Sequence, residues 1–85
     1  MLTYTSNISW QYIHNEIFVF DEISGDLFVF RKYSKDIWLF IDCGLDVEEI
    51  INNLVKKYDI SSLDAQAIVE RCVCDFKKKR LVNQE

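Results

Sequence analysis

The chain has 85 residues, 49% hydrophobic and 14% aromatic, with a formal net charge of −4. So much core material excludes a disordered chain, and a chain this short folds around one core, burying roughly 60–65% of its unfolded surface. The acidic balance excludes generic phosphate-backbone binding, which needs a basic face. No apolar run approaches the roughly 20 residues that cross a bilayer. Met1-Leu2-Thr3-Tyr4-Thr5 lacks the basic region and apolar stretch of a signal peptide, so a cytoplasmic protein is expected. Three cysteines cannot all pair within one chain, which fits a reducing compartment. One domain is expected over residues 1–85, with its core at about 8–82.

Ile8 to Ile13 reads as a first strand, with Ile8, Trp10 and Tyr12 on one face. His14-Asn15-Glu16 is a turn. Ile17 to Phe20 is wholly apolar and reads as a central strand. Glu22 to Asp26 is a second turn, with Gly25 free to take positive φ. Leu27 to Arg31 is the third strand. The two short connections imply two hairpins, hence a three-stranded antiparallel meander.

The period then changes. Ser34 is placed to cap a short helix over Lys35–Asp42, and Gly44 to end it. Asp46 and Glu49 form a capping-box pattern. Val47, Ile50, Ile51, Leu54, Val55 and Tyr58 then make an amphipathic stripe. Ser61 with Asp64 caps a last helix from about Ser62 to Lys79, whose stripe runs from Ala65 to Phe76. Leu81 and Val82 are expected to tuck onto the core, with Asn83, Gln84 and Glu85 frayed. The predicted fold is α+β: a three-stranded antiparallel β-meander followed by three α-helices, like a winged helix-turn-helix.

Little here points to chemistry. Cys72 and Cys74, two apart on a helix, face opposite sides and cannot share a metal, and His14 sits in a turn. No nucleophile elbow, phosphate-binding glycine loop or paired carboxylates are present. Asp46, Glu48 and Glu49 sit at a helix start, where acids complement the dipole. Lys77 to Arg80 end the last helix, where cations do the same. No catalytic residue, metal or cofactor is expected.

The third strand carries the functional signal. As the last strand of a meander it forms an edge, and an apolar edge with unpaired backbone groups invites another chain. A peptide added there gains affinity from main-chain hydrogen bonds and specificity from alternate side-chain pockets. The register is open at this point, so either pair of side chains can face outward.

Gly25-Asp26-Leu27-Phe28-Val29-Phe30, then Ile37-Trp38, then Asp42 through Ile50, and finally Lys79-Arg80-Leu81-Val82 follow one another in an order that resembles the PqqD-like family. These are peptide-recognition modules of ribosomally made, post-translationally modified peptide pathways. The resemblance covers about residues 8–82 and departs at Arg31, where the family often has Asn. It implies a non-catalytic protein, a discrete lasso-peptide B1-type protein among the candidates. The leader of a precursor peptide would add as a strand to Leu27, Phe28, Val29, Phe30 and Arg31. The helix wall would come from Ile68, Arg71, Cys72, Asp75 and Lys79. Ile68 and Cys72 would floor an apolar pocket, Arg71 or Lys79 would meet an acidic leader residue, and Asp75 a basic one. A separate modifying enzyme, a leader peptidase or a radical SAM protein, would be the second partner.

Two other readings use the same elements. A winged-helix module would bind DNA through its last helix, but that helix starts with Asp64 and Glu70, which oppose phosphate. An assembly subunit would pair the edge strand with a second copy, so monomer and homodimer both stay open. No nucleic acid or membrane partner is expected.

Overall fold

The computed structural model describes residues 1–84. Strands β1 (Leu2–Tyr4), β2 (Ile8–Ile13), β3 (Glu16–Asp21) and β4 (Leu27–Phe30) precede helices α1 (Tyr33–Asp42), α2 (Val47–Tyr58) and α3 (Ser62–Lys78), and β5 (Val82–Gln84) follows. The expected α+β fold is present, with β2-β3-β4 as an antiparallel meander and β3 in the centre. The β1–β5 pair is an addition, antiparallel, with Thr3 opposite Asn83. Asn83 and Gln84, expected to fray, are therefore in a strand, held by pairing between distant parts of the chain. Glu85 lies outside the described residues.

Each turn has a local cause. His14 and Asn15 both take positive φ, as a two-residue hairpin loop between right-twisted strands demands. In the β3–β4 turn, the Asp21 carboxylate accepts hydrogen bonds from the Ile23 and Ser24 N–H groups, and Gly25 takes φ +81°. Helix α2 starts with the expected capping box, Asp46 and Glu49 bonding each other's backbone N–H. Helix α1 ends as Gly44 donates to the Ile41 carbonyl and Leu45 to Phe40, a Schellman motif. Helix α3 ends the same way with Arg80 at the left-handed position, which turns Leu81 and Val82 into the core.

The start of α1 corrects the expectation. Ser34 does not cap it: α1 begins at Tyr33, and the N-cap is Lys32, with φ +55° and no side-chain cap bond. The chain must leave β4 abruptly, and the backbone turns at Lys32 to do so. Ser34 falls in the first turn of α1 instead.

The core lies between the sheet and the helices. Trp38 is fully buried at its centre, stacked on Tyr4 at 4.4 Å and edge-on to Phe76 at 5.3 Å and Trp10 at 6.0 Å. A second buried cluster is ionic. Asp36 accepts hydrogen bonds from Tyr58 and, at 2.9 Å, from Lys57, and Lys35 lies 3.5 Å away. Lys35 also donates to Asn15 at 2.8 Å, so the cluster joins the first hairpin, α1 and α2.

Burial disfavours the Asp36 carboxylate, but the bonds from Tyr58 and Lys57 outweigh it and hold its pKa below the ordinary 3.8. The same pairing, added to burial, pushes the Tyr58 phenol up to about 12. A carboxyl whose folded pKa is depressed stabilises the fold above its unfolded value and stops doing so as pH falls through the folded one. Asp36→Asn is expected to cost roughly 1–3 kcal/mol at neutral pH by leaving the buried Lys35 ammonium without its carboxylate. In urea melts the gap to wild type should close as pH falls below about 3.8. Parallel stability curves down to pH 2 would remove the carboxylate from this role.

Candidate functional site: an open strand edge beside a helix

The phase of the β3–β4 ladder decides what the edge offers. The Asp21 N–H donates to the Asp26 carbonyl at 2.9 Å. Hydrogen-bonded and non-hydrogen-bonded pairs alternate along an antiparallel ladder. Val19–Phe28 and Ile17–Phe30 are therefore the bonded pairs, and Phe20–Leu27 and Phe18–Val29 the non-bonded ones. The backbone N–H and C=O groups of Leu27 and Val29 point away from β3, to the open edge. The alternation of Glu22 bonding Asn7 on the opposite side of β3 fits the same phase.

The side chains divide with equal clarity. Phe28 and Phe30 face the helices: Phe30 is buried 4.8 Å from the Phe76 ring, and Phe28 is half-buried. Leu27 and Val29 are on the opposite face, Leu27 60% exposed. Arg31 falls one residue past the strand and pairs with Glu16 of β3.

The five helix residues expected at the wall lie along one flank of α3. Ile68, Arg71, Cys72 and Asp75, with Tyr33 from α1, line a cleft of about 430 Å³. Lys79 caps α3; its ammonium pairs with Asp75 and lies 5.7 Å from the Phe28 ring centroid. That contact connects the α3 flank to the edge strand. Arg71 is exposed and has no ion-pair partner among the described residues, so it is the uncommitted charge of the cleft. Tyr33 is the residue the sequence reading missed. Its ring packs edge-on against Tyr58 at 4.6 Å, which fixes it beside the cleft.

Burial pushes the Cys72 thiol up to about 11, so it stays protonated and lines the cleft as a small apolar group. Cys74 and Cys43 are exposed, Cys74 on the other side of α3. Among the described residues no three His, Cys, Asp or Glu side chains are grouped to hold a metal ion. No described helix is long and apolar enough to cross a membrane.

An α+β domain with a meander edge left open beside its last helix defines a known class. The family model of coenzyme PQQ synthesis protein D (PqqD) matches residues 16–82, and the chain belongs to that family. Its fold is similar to TbiB1 in complex with the TbiA(beta) leader peptide, with TM-score 0.92 and 16% identity over 98% of this chain and 96% of that one. It is also similar to lasso peptide synthetase B1 complexed with the leader peptide, with TM-score 0.90 and 16% identity over 98% of both chains. No curated protein matches the sequence.

The thiols give a direct check on this geometry. At pH 8, iodoacetamide should alkylate Cys43 and Cys74 within minutes, while Cys72 stays unmodified until the protein is unfolded. Peptide mass mapping reads the three sites separately, and prompt labelling of Cys72 would mean that the cleft floor is open to solvent.

Proposed function

We propose that this chain is a non-catalytic carrier for the leader segment of a ribosomally synthesised precursor peptide. The leader adds as an antiparallel strand to β4, and the carrier delivers the rest of the peptide to a separate modifying enzyme. The observation that carries this reading is the open edge, with the backbone of Leu27 and Val29 unpaired beside a cleft lined by Ile68 and Cys72. Two proteins of similar fold are complexed with leader peptides, which supports it.

On this reading a leader residue opposite Phe28 turns its side chain into the cleft. Its neighbours, opposite Leu27 and Val29, bond their main chain to β4 and turn their side chains to the outer face. Ile68, Cys72 and Tyr33 give the entering residue an apolar seat. Arg71 meets an acidic side chain of the leader. Asp75 and Lys79 neutralise each other, so they close the rim with no charge preference. Residues 1–85 act as one unit in the cytoplasm, where the precursor is made. A leader peptidase or radical SAM protein supplies the chemistry.

DNA binding is the weaker reading. Asp64 and Glu70 occupy the first half of α3, and Lys77 and Lys79 at its other end are bonded to Gln84 and Asp75.

Val29→Pro separates a strand-addition mechanism from any other. It removes an N–H that faces the peptide and leaves the β3 ladder intact, and proline is tolerated on edge strands. Affinity for a fluorescein-labelled leader, from the precursor encoded beside this gene, should fall at least about tenfold, with the melting temperature nearly kept. Wild-type affinity in that variant would rule out the ladder.

A further inference from the structure

We propose that Tyr58, anchored by Asp36, is a positioning residue for the peptide cleft: it holds Tyr33, the cleft's wall on α1, in one orientation before the leader arrives. This rests on leader addition to β4 and deepens it by giving the buried ionic cluster a part in binding. Tyr33 and Asp36 are three residues apart in the first turn of α1, so their side chains leave the helix on one side. Tyr58, the last residue of α2, meets both. Its hydroxyl donates to the Asp36 carboxylate, and its ring stands edge-on to Tyr33 at 4.6 Å between centroids, with the planes 62° apart. One phenol thus spans the turn on which the cleft wall stands.

Tyr33 stands where a helix is least secure. It directly follows Lys32, which gives α1 no side-chain cap bond, and an uncapped first turn frays most easily. The Lys32 ammonium lies 5.3 Å from the Tyr33 ring centroid, but Lys32 is exposed, and an exposed cation on a flexible stem restrains a ring weakly. The contact with Tyr58 is stiffer, because Tyr58 is itself tied down. Asp36 is buried and also bonded by Lys57 at 2.9 Å, with Lys35 3.5 Å away, so the acceptor cannot swing aside. Lys35 is held in turn by Asn15 of the first hairpin loop. The phenol, pushed up to about 12, stays a donor at neutral pH.

A buried ionic cluster is a poor source of net stability, because desolvation offsets its attraction. It supplies direction, which an apolar contact does not: the hydrogen bond to Asp36 allows the Tyr58 ring few orientations, and Tyr33 inherits that restriction. The other lining residues, Ile68, Arg71, Cys72 and Asp75, all lie within α3. Tyr33 is the one on a helix end, so it is the wall whose freedom the leader would otherwise have to quench. A wall set beforehand spares the leader that ordering cost.

The test uses the full chain and the labelled leader. Tyr58→Phe keeps the ring and loses the bond to Asp36, and Tyr58→Leu loses both. Val82→Ala, at a buried position in β5, is the control for lost stability. Leader affinity should fall about threefold in Tyr58→Phe and about tenfold in Tyr58→Leu, the range that ordering one side chain sets, and stay at the wild-type value in Val82→Ala. In a Tyr33→Ala background both Tyr58 substitutions should lose their effect, as a double-mutant cycle requires of a residue that acts through another. The fluorine resonance of meta-fluorotyrosine in place of Tyr33 should shift in Tyr58→Phe without any leader, and not in Val82→Ala. Wild-type affinity in Tyr58→Leu would overturn the proposal, as would an undiminished loss in the Tyr33→Ala background or an equal loss in Val82→Ala. If the wild type binds no leader, the carrier reading itself fails, and the fluorine resonance decides the positioning alone. Unmoved in Tyr58→Phe, it overturns that as well; shifted, it upholds the hold of Tyr58 on Tyr33.

Discussion

Trp38 is the residue on which the arrangement depends. An α+β domain of this size has few side chains with which to join five strands and three helices. Trp38 on α1 touches Tyr4 of β1, Trp10 of β2, Phe30 of β4 and Phe76 of α3. Its backbone carbonyl also accepts the Tyr4 hydroxyl at 2.6 Å. Burial above all, with Asp42 adding to it, raises the Tyr4 phenol far above its ordinary pKa and keeps it a donor. The Trp38 indole N–H has no hydrogen-bond partner among the described residues, a cost of placing so large a ring among aromatic faces. Through Phe30 and Phe76 this cluster fixes the distance between the edge strand and α3. The width of the cleft is set there, not by the residues that line it.

From that spacing the sheet acquires two faces with different work. Of the inner residues of β4, Phe30 belongs to the core and Phe28 packs against it. The outer residues, Leu27 and Val29, stand outside it and stay in water at a free-energy cost. Selection for stability alone would replace them with threonine or lysine, which suit an exposed edge. Leucine and valine stand there instead, beside Phe18 and Phe20, an apolar surface that the fold itself does not require.

Much of this was legible in the chain. The apolar run Ile17–Phe20 marked the central strand, the stripe from Val47 to Tyr58 marked α2, and Asp46 with Glu49 marked its start, because each signal is local. The flank Ile68, Cys72, Asp75 and Lys79 was legible from helical spacing. What escaped was non-local. Strands β1 and β5 are three residues each and exist only because Arg80 takes a left-handed turn that brings the termini together. Ser34 carried a cap signal, but the turn at Lys32, with φ +55°, starts the helix ahead of it, at Tyr33. Tyr33 sits at the cleft because of its contact with Tyr58, a partner 25 positions away. The phase of the β4 edge hung on one hydrogen bond in the turn, Asp21 to Asp26, which composition does not reveal.

The same details explain why so exposed an edge need not aggregate. An open strand templates further pairing in proportion to its length and flatness. Here β4 has four residues, and it is bounded on both sides. Asp26 precedes it, a charge at the mouth of the turn. Arg31 follows, and at Lys32 the backbone turns to φ +55°, so no ladder continues past that point. A partner strand finds a footprint of about five residues and no more, worth a few main-chain hydrogen bonds at roughly 0.5–1.5 kcal/mol each. That is too little to hold a chain without side-chain help. On the proposed reading, affinity therefore comes from what the cleft of Ile68, Cys72 and Tyr33 accepts, and an edge this short is selective because it is weak.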